Sequence, residues 1–538
     1  MTITISEDTD TTIDATFIES WIIDTDVTVS TSGLGVDASG AVSGRSFIIK
    51  GTLSSTSGPA LQLGDASLAD SATTIRVDYV GSFTSGGAGL VALSGGLTFE
   101  VVGDESASGL VSAAGTVLDL RQGGNSIKND GTIMSSSGSL ALSAGASDTL
   151  VNNGTMTTNA DAVVSTGADL RIENNDLLNS GKGRGVLSSG AGLVIENAGT
   201  ITALLDAISS SGADAEITNY ATIRSKQGAG IVASGTGAVI ENTTLIEGKT
   251  FGISASGANT EITNSGTITV AGTGIQALGD GSVVDTTAHL TGKVALVLGG
   301  TDSIATNLNE MRGTSKTDAA VSLLGTADFT NEGAVFTRSG IAVSAGNGDN
   351  SIQNTGSLHG AVKLGGGNDW FSSLVGAVDG KVYGGKGDDV YEAGIKLGIV
   401  EKAGQGTDTV KAMFSWTLGA NLENLELIGD ADADARGNEL RNLLTGNSGD
   451  NRFWGLGARD IFVMQTGGGS DTIMDFQDGV DRIDFRAIGG IDSFADLEAH
   501  MSQVGRNVVI DLSDEDAGLT LTIRKADLGD LAAADFLF

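Results

Sequence analysis

Short stretches of alternating apolar and polar positions recur along the first two thirds of the chain, separated by Gly, Ser, Thr and Asn. The clearest is residues 127–133, IKNDGTI, in which an apolar residue, Asn, a small residue and a second apolar residue occupy every other position. The pattern returns as LVNNGTM, IENAGTI, ITNYATI, ITNSGTI, TNEGAVF and IQNTGSL. Period-two alternation over so few residues predicts short β-strands rather than helices.

The Asn of this pattern recurs at a nearly constant interval. It is found at Asn129, Asn152, Asn174, Asn197, Asn219, Asn242, Asn264, Asn307, Asn331 and Asn354. These 225 residues span ten steps of 22.5, with Asp285 predicted in the slot between Asn264 and Asn307. Such a period is typical of a β-solenoid, whose coils hold two or three strands and stack about 4.8 Å apart. In-register stacking predicts a ladder of Asn side-chain amides bonded from coil to coil.

Residues 120–360 resemble the N-x-G-T-I coils of autotransporter passenger domains and filamentous-haemagglutinin-like adhesins. The resemblance rests on the Asn-containing stretches quoted above, and it implies a parallel β-solenoid rather than a particular chemistry. Residues 1–45 lack the Asn pattern and are predicted to cap the end of the solenoid.

A different motif appears in the last third of the chain. Residues 384–391, GGKGDDVY, match the pattern G-G-x-G-x-D-x-U, in which U is a large apolar residue. Glycine adopts backbone angles that other residues resist, so these turns direct carbonyl oxygens towards the Asp carboxylate. Two such turns in successive coils would surround a cation with oxygen atoms, the ligands that Ca²⁺ prefers.

These turns resemble the glycine-rich nonapeptides of the RTX (repeats-in-toxin) family of secreted Gram-negative proteins, whose Ca²⁺-loaded form is a parallel β-roll. AGNGDNSI, LGGGNDWF, AGQGTDTV, GNSGDNRF and TGGGSDTI extend the resemblance, and WGLGARDIF is a degenerate copy. The resemblance implies a Ca²⁺ site built from turn glycines and neighbouring polar residues. These are Gly346, Gly348, Asp349, Asn350, Gly365, Gly367, Asn368, Asp369, Gly385, Gly387, Asp388, Asp389, Gly404, Gly406, Asp408, Asp450, Asn451, Asp460, Gly469 and Asp471.

The spacing of the turns predicts how they stack. The sixth positions of the first four turns, 350, 369, 389 and 408, lie 19, 20 and 19 residues apart. A strict β-roll has a shorter repeat, so this spacing predicts turns on one face of the solenoid rather than on two. With a Kd of about 10⁻⁴ M and millimolar Ca²⁺, each site would stabilise the folded state by about 1.4 kcal/mol. The segment is therefore expected to fold only where Ca²⁺ is available.

Composition favours cations as partners. The chain has 538 residues, a formal net charge of −36, no Cys and one Pro. The negative charge disfavours nucleic acid and anionic membranes as partners, and no apolar run is long enough to span a membrane. The N-terminal stretch MTITISEDTDTT has neither the basic nor the apolar part of a Sec signal peptide, so export is expected to use another signal.

Six basic residues share one position of the repeat. They are Lys182, Lys226, Lys249, Lys293, Lys316 and Arg338. Their separations of one or two coil lengths predict that they lie along one edge of the solenoid. They are either solvated turn residues or a basic stripe that binds the acidic part of a neighbouring copy or an anionic polysaccharide.

The C-terminal segment follows another pattern. Ser493 and Asp496 have the spacing of a helix cap, while Phe494, Leu497 and Met501 recur at helical spacing. NVVIDL and LTLTI predict strands, and the ending DFLF resembles the uncleaved signals of type I secretion.

We therefore predict an all-β fold in which an elongated parallel β-solenoid continues into a Ca²⁺-binding β-roll with a small β-rich cap that contains one short helix. The predicted parts are an N-terminal cap, the solenoid, the RTX region, and a C-terminal cap with a secretion signal. Their bounds are 1–45, 46–340, 341–485 and 486–538.

Repetition, small side chains and the lack of an evident catalytic cluster favour a structural protein over an enzyme, and no catalytic residue is assigned. The predicted function is a secreted, Ca²⁺-dependent S-layer, matrix or adhesin-like protein on the surface of a Gram-negative bacterium. Its expected partners are further copies of itself, lipopolysaccharide or another surface polysaccharide, and the type I secretion machinery.

The alternative is a polysaccharide lyase or epimerase with RTX modules. Such enzymes use a cluster such as Tyr/His/Asp, whereas Tyr220 and His289 fall three coils, or about 14 Å, apart. A toxin or protease is disfavoured, because neither a pore-forming region nor an H-E-x-x-H motif is present.

Overall fold

The computed structural model describes residues 2–15, 20–39, 44–63, 73–78, 81–103, 109–515 and 519–538. It confirms the predicted fold class, since the chain forms a nearly all-β parallel β-solenoid with coils of about 22 residues. The chain divides into two compact units. The first comprises Met1–Ser303 and Asn309–Thr314, and the second comprises Ile304–Leu308 and Ser315–Phe538.

Each complete coil of the first unit contributes one strand to each of three faces. Face 1 is formed by Thr2–Ile5, Ser20–Ile23, Ser46–Ile49, Thr74–Val77, Thr98–Val101, Ser126–Asn129, Thr149–Asn152, Arg171–Asn174, Val194–Asn197, Glu216–Asn219, Val239–Asn242, Glu261–Asn264 and Val283–Thr286. Face 2 is formed by Thr28–Thr31, Thr52–Ser55, Ser82–Ser85, Leu110–Ala113, Thr132–Ser135, Thr155–Thr158, Leu177–Ser180, Thr200–Ala203, Thr222–Ser225, Leu245–Gly248, Thr267–Val270, Leu290–Gly292 and Glu310–Gly313. Face 3 is formed by Ile13–Asp14, Val36–Ala38, Leu61–Leu63, Leu90–Ala92, Leu118–Leu120, Ala141–Ser143, Val163–Ser165, Val186–Ser188, Ile208–Ser210, Ile231–Ala233, Phe251–Ala255, Thr273–Ala277 and Val294–Leu298.

The core of the first unit consists of like residues stacked in register. On face 1, Ile195 pairs with Ile217, which pairs with Ile240, and all three side chains are fully buried. Burying each such side chain contributes about 1.5–3 kcal/mol. The predicted N-terminal cap, residues 1–45, already contributes strands to this arrangement, since Thr2–Ile5 pairs in parallel with Ser20–Ile23.

The predicted Asn ladder is confirmed. In the first unit, the Asn129 side-chain amide donates to Asn152 Oδ1 at 2.8 Å, and equivalent bonds of 2.7–2.8 Å continue coil by coil to Asn264. The placement of Asp285 in the next slot is wrong, because Asn264 donates instead to Thr286 Oγ1 at 3.2 Å. Asp285 pairs in register with Thr263, one position earlier in the strand.

The second unit begins with coils like those of the first and continues with narrower ones. Row 1 is formed by Ser303–Asn307, Ala327–Asn331, Ser351–Asn354, Trp370–Ser373, Val390–Ala393, Thr409–Ala412, Asn424–Leu427, Leu443–Thr445, Ile461–Val463, Arg482–Asp484 and Phe536–Leu537. Row 2 is formed by Val321–Leu323, Ala334–Ala345, Ser357–Gly366, Ala377–Val378, Lys381–Lys386 and Gly398–Val400. Row 3 is formed by Trp416–Thr417, Asp434–Arg436, Arg452–Trp454, Ser470–Ile473, Thr520–Arg524, Asn507–Asp511 and Met501–Val504. From residue 416 to 484, strands of rows 3 and 1 alternate along the chain, so each coil has two strands.

The C-terminal segment contains the predicted short helix, Phe494–Glu498, which begins after Ser493, whose side chain accepts a bond from the Asp496 backbone N–H. A 3₁₀ turn, Ala533–Asp535, precedes the last strand. Among the described residues, no helix has the length and apolar character needed to cross a membrane.

Candidate metal centre

Four of the predicted turns stack in the second unit, each directly before a row 1 strand. Their sixth-position side chains, which we call the inner column, are Asn350, Asp369, Asp389 and Asp408, and all are no more than 3% exposed. The Asn350 backbone N–H donates to Asp369 Oδ1 at 2.7 Å. The same contact, at 2.9 Å, joins Asp369 to Asp389 and Asp389 to Asp408.

An outer column of exposed side chains ties the same turns together. Asp349 Oδ1 accepts the backbone N–H of Asn368 at 2.7 Å, and Asn368 Oδ1 accepts that of Asp388 at 2.8 Å. Asp388 Oδ1 in turn accepts the backbone N–H of Thr407 at 2.7 Å. The turns are therefore held in register on both sides of each glycine-rich loop.

The glycines allow these turns to approach closely. Gly385 and Gly387 have φ angles of 123° and 110°, in the region that favours glycine. A Cβ atom on them would lie only 2.1 Å from the Gly365 carbonyl oxygen and 2.0 Å from that of Gly367. The other predicted glycines of this stack occupy the corresponding turns. They are Gly346, Gly348, Gly404 and Gly406.

Glu401 joins two members of the inner column in a cluster of buried carboxylates. Oxygen atoms of Asp389, Glu401 and Asp408 lie within 4.8 Å of one another, and all three residues are buried. Three oxygen atoms of the inner column have no hydrogen-bond partner, namely Asn350 Oδ1, Asp369 Oδ2 and Asp389 Oδ2. Buried polar atoms without partners are costly, so these oxygens are available to a cation.

Glu401 was missed by the sequence prediction, because it belongs to a different part of the coil from the turns. Its carboxylate accepts a hydrogen bond from the Tyr391 hydroxyl and one of 3.4 Å from the Gly385 backbone N–H. A Cβ atom on Gly384 would lie 1.9 Å from Glu401 Oε1 and 2.5 Å from Asp389 Oδ2, so glycine leaves room for the cluster. The only signal was an isolated acidic residue within the apolar stretch LGIVEKAG.

The electrostatics of the cluster favour a bound cation. Burial, with a smaller contribution from neighbouring carboxylates, raises the pKa of Asp369 to about 6 and the pKa values of Asp389 and Asp408 to about 7. Burial also raises the pKa of Glu401. Among the described residues, no Lys, Arg or His forms an ion pair with these four. A donor set made only of oxygen fits Ca²⁺, which would supply the missing positive charge.

The remaining turns stack on two edges, whereas the first four, for which the spacing predicted a single face, form one column. On the row 1 edge, Asp460 Oδ1 accepts the Asn442 N–H at 2.8 Å, while Asp481 Oδ1 accepts the Asp460 N–H at 3.0 Å. On the row 3 edge, Asp471 Oδ1 accepts the Asn451 N–H at 2.9 Å. A two-strand coil has two turns per repeat, and successive turns must therefore alternate between the edges.

Several of these turn residues resemble the inner column in being buried and in having a raised pKa or an oxygen without a hydrogen-bond partner. Burial raises the pKa values of Asp460 and Asp471 to about 7, and Asp460 Oδ2 has no hydrogen-bond partner. Asp450 Oδ1 accepts the Ser470 N–H at 2.8 Å in an outer position, and Gly469 lies in the same turn with a φ of 72°. Asn442 and Asp481, which pattern matching missed, complete the row 1 edge.

Comparison with known proteins adds a functional link. No family model matches the chain. Over 192 residues the chain is 34% identical to endo-1,3-1,4-beta-glycanase ExsH of Rhizobium meliloti (strain 1021). The match covers 33% of this chain and 38% of that protein. The chain thus spans well under half of the length of the glycanase it matches.

This relative contradicts two predictions made from the sequence, a structural surface protein and the absence of enzymatic activity. Both are corrected here, because the similar protein is named as a glycanase. The prediction failed because it looked for the Tyr- or His-containing cluster of a lyase, whereas most glycosidases need only two carboxyl groups at a suitable distance. In a chain with 66 acidic residues, such a pair is not conspicuous.

Proposed function

We propose that the chain acts on a polysaccharide as a secreted, Ca²⁺-dependent glycoside hydrolase. The observation that carries this proposal is the 34% identity to an endoglycanase over 192 residues. The long parallel sheets of the first unit support it, because their outward faces hold side chains at regular intervals along which a polymer can lie.

A candidate catalytic pair lies on face 1 of the first unit. Glu173 and Glu196 occupy the same outward position in adjacent coils, and both are half-buried. Adjacent strands lie about 4.8 Å apart, and the two carboxyl groups of retaining glycosidases are separated by about 5 Å. The register of the coils thus supports a retaining arrangement.

The two carboxylates have different partners, as an acid and a nucleophile require. Glu196 forms an ion pair of 2.5 Å with Arg171, and Glu173 accepts a hydrogen bond of 2.9 Å from the Asn175 side-chain amide. In the proposed mechanism, Glu173 protonates the leaving glycosidic oxygen while Glu196 attacks the anomeric carbon. Water then hydrolyses the glycosyl ester with Glu173 acting as the base.

The test is release of reducing ends by the full chain in millimolar Ca²⁺ from a neutral mixed-linkage 1,3-1,4-β-glucan and from anionic polygalacturonate. Glu173→Gln and Glu196→Gln are each expected to lower the rate at least about a hundredfold. Glu241→Gln, at the same outward position two coils beyond Glu196, is the matched control. A folded wild-type protein without activity on glycans would refute the proposal. Products of polygalacturonate with an unsaturated, ultraviolet-absorbing end would instead favour a lyase, because such an end forms by elimination beside the carboxylate of a uronic acid.

The Ca²⁺ dependence rests on the inner column and Glu401. Their unpartnered oxygens and the RTX-like turns support Ca²⁺ bound by Asp369, Asp389, Glu401 and Asp408, where the ion would neutralise charge and stabilise the second unit. Such a segment would stay unfolded in a Ca²⁺-poor cytosol and fold after export, which suits type I secretion. The midpoint temperature of thermal unfolding should rise with Ca²⁺ concentration. It should rise much less with Mg²⁺, because Mg²⁺ demands a stricter coordination geometry. Equal effects of both ions would contradict a Ca²⁺ site.

A further inference from the structure

We propose that an anionic polysaccharide binds along a ridge of lysines in the first unit, beside a polar groove on face 2. The inference builds on the proposed function, since it names the charge class of the polymer, but binding can be measured without cleavage.

The ridge lies at the turn that follows the face 2 strands. Lys182, Lys226, Lys249 and Lys293 come one or two residues after the strands that end at Ser180, Ser225, Gly248 and Gly292, and all four are exposed. The predicted alignment along one edge is therefore confirmed within the first unit. Lys316 and Arg338 are exposed residues of the second unit.

The first three ridge lysines differ from the arginines of the adjacent faces. Arg224 pairs with Glu247 on face 2, and Arg184 lies 3.4 Å from Asp206. In contrast, Lys182, Lys226 and Lys249 form no ion pair with any described residue. Lys226 and Lys249 occupy successive coils, about 4.8 Å apart along the stack. On a protein with a net charge of −36, this row is a local concentration of uncompensated positive charge.

Two carboxylates in turns of the neighbouring coils, Asp161 and Asp206, are already engaged. Asp161 Oδ1 accepts the Arg184 backbone N–H at 2.6 Å, and Asp206 Oδ1 accepts the Ala229 backbone N–H at 2.9 Å. These bonds hold both carboxylates at the turn backbone. The side chains of Lys182, Lys226 and Lys249 are thus left to solvent or to an external anion.

A groove of about 450 Å³ lies along the face 2 strands and the turns that follow them. Its lining is uncharged and includes Met134, Thr157, Asn159 and Asn179, with Gly181 directly before Lys182. Hydroxyl and amide groups bond sugar hydroxyls, and the exposed Met134 side chain offers an apolar contact. The groove therefore favours a sugar polymer over an acidic segment of a second copy.

Coil spacing matches the proposed ligand. Lysines recur at about one or two strand spacings of 4.8 Å, comparable with one or two pyranose units. A polymer lying along the stack would present an anionic substituent to each lysine. Its hydroxyl groups would contact the groove at the end of the ridge that bears Lys182.

The experiment compares binding of the Ca²⁺-loaded full chain to polygalacturonate and to neutral mixed-linkage β-glucan. The ridge variant is Lys182→Glu/Lys226→Glu/Lys249→Glu, and the control is Lys363→Glu/Lys396→Glu/Lys525→Glu, with the same change in net charge. The ridge variant should lose at least about tenfold in affinity for polygalacturonate, and the control about twofold or less. Wild-type affinity should fall as salt rises.

Equal affinities of the ridge and control variants would overturn the proposal, as would equal, salt-independent binding of both polymers. A ridge variant that changes only sedimentation behaviour would assign the ridge to a second copy and reject the polysaccharide. Reducing-end release separates this inference from the proposed hydrolase. If the wild-type protein binds polygalacturonate but cleaves no glycan, the ridge is supported and the hydrolase is refuted. If it cleaves, and the ridge variant binds polygalacturonate as tightly as the wild type does, the ridge alone is refuted.

Discussion

Two buried columns of polar side chains, one in each unit, differ in how their hydrogen-bonding groups are satisfied. The Asn ladder of residues 129–264 is closed by its own bonds, because each amide carries both a donor and an acceptor. The inner column of Asn350, Asp369, Asp389 and Asp408 consists mainly of carboxylates, which when ionised only accept. Each carboxylate uses one oxygen for the neighbouring turn, and the second oxygens of Asp369 and Asp389 have no donor.

A single buried carboxylate in the first unit shows that burial alone does not make a carboxylate depend on a cation. Asp148 is 1% exposed, and its Oδ1 accepts bonds from the Asn125 backbone and side chain, both at 2.9 Å. Its Oδ2 accepts a bond of 2.6 Å from Ser143 Oγ. One carboxylate can be satisfied by nearby donors, whereas stacked carboxylates compete for them. A repeated acidic position therefore makes folding depend on a cation, and a repeated amide does not.

The largest expected contrast between the columns is in the pH dependence of the Ca²⁺-free protein. The pKa values of Asp369, Asp389 and Asp408, about 6 to 7, lie above the ordinary value of 3.8, so the folded state binds protons more tightly than the unfolded state. Stability of the second unit should fall as pH rises from about 4 to 7, by up to about 1.4 kcal/mol per pH unit for each proton. Chemical denaturation in chelator at pH 4.5 and 7.5 checks this, and higher stability at pH 7.5 would contradict it.

Next in size is removal of two carboxylates in the presence of Ca²⁺. Asp389→Asn/Asp408→Asn should abolish the Ca²⁺ site that these residues form with Asp369 and Glu401, and with it the Ca²⁺-dependent stabilisation of the second unit. Calorimetric titration should show fewer sites, and the Ca²⁺-dependent rise in Tm should shrink. An unchanged stoichiometry would show that these carboxylates are not ligands.

A smaller, Ca²⁺-independent effect is expected in the Asn ladder. Asn197→Ala removes the donor to Asn219 and the acceptor for Asn174, which leaves buried polar atoms unpaired at a cost of about 1–3 kcal/mol. Denaturation of the first unit should show the same loss with Ca²⁺ and with chelator. A loss seen only in chelator would mean that the ladder is coupled to metal binding.

The smallest expected effect concerns Tyr391, which is fully buried and donates to Glu401. Tyr391→Phe keeps the ring but removes the hydroxyl, at a cost of about 1 kcal/mol. In millimolar Ca²⁺ the Tm should fall while the number of bound ions stays the same, if the hydroxyl only positions Glu401. Loss of a Ca²⁺ site in the titration would show instead that the position of Glu401 controls binding.

The regular parts of the molecule could be predicted from sequence because each coil repeats the same pattern. The ladder from Asn129 to Asn264 and the turn around Asp389 follow directly from period and motif. Thr286 was missed because the pattern-based choice, Asp285, lies one position from the buried slot. Glu401 was missed because its carboxylate reaches the cluster from a strand boundary that carries no motif. The paired Glu173 and Glu196 become visible only once the coils are in register.

The central claim is that the carboxylate column of the second unit needs bound Ca²⁺ to satisfy its buried oxygens. The amide ladder of the first unit satisfies its own donors and acceptors. Hydrogen–deuterium exchange of the full chain, in millimolar Ca²⁺ and in chelator at pH 7.5, tests it most directly. Protection of residues 129–264 should be the same in both conditions, and protection of residues 346–412 should be lost in chelator. Equal protection of residues 346–412 in both conditions would contradict the claim.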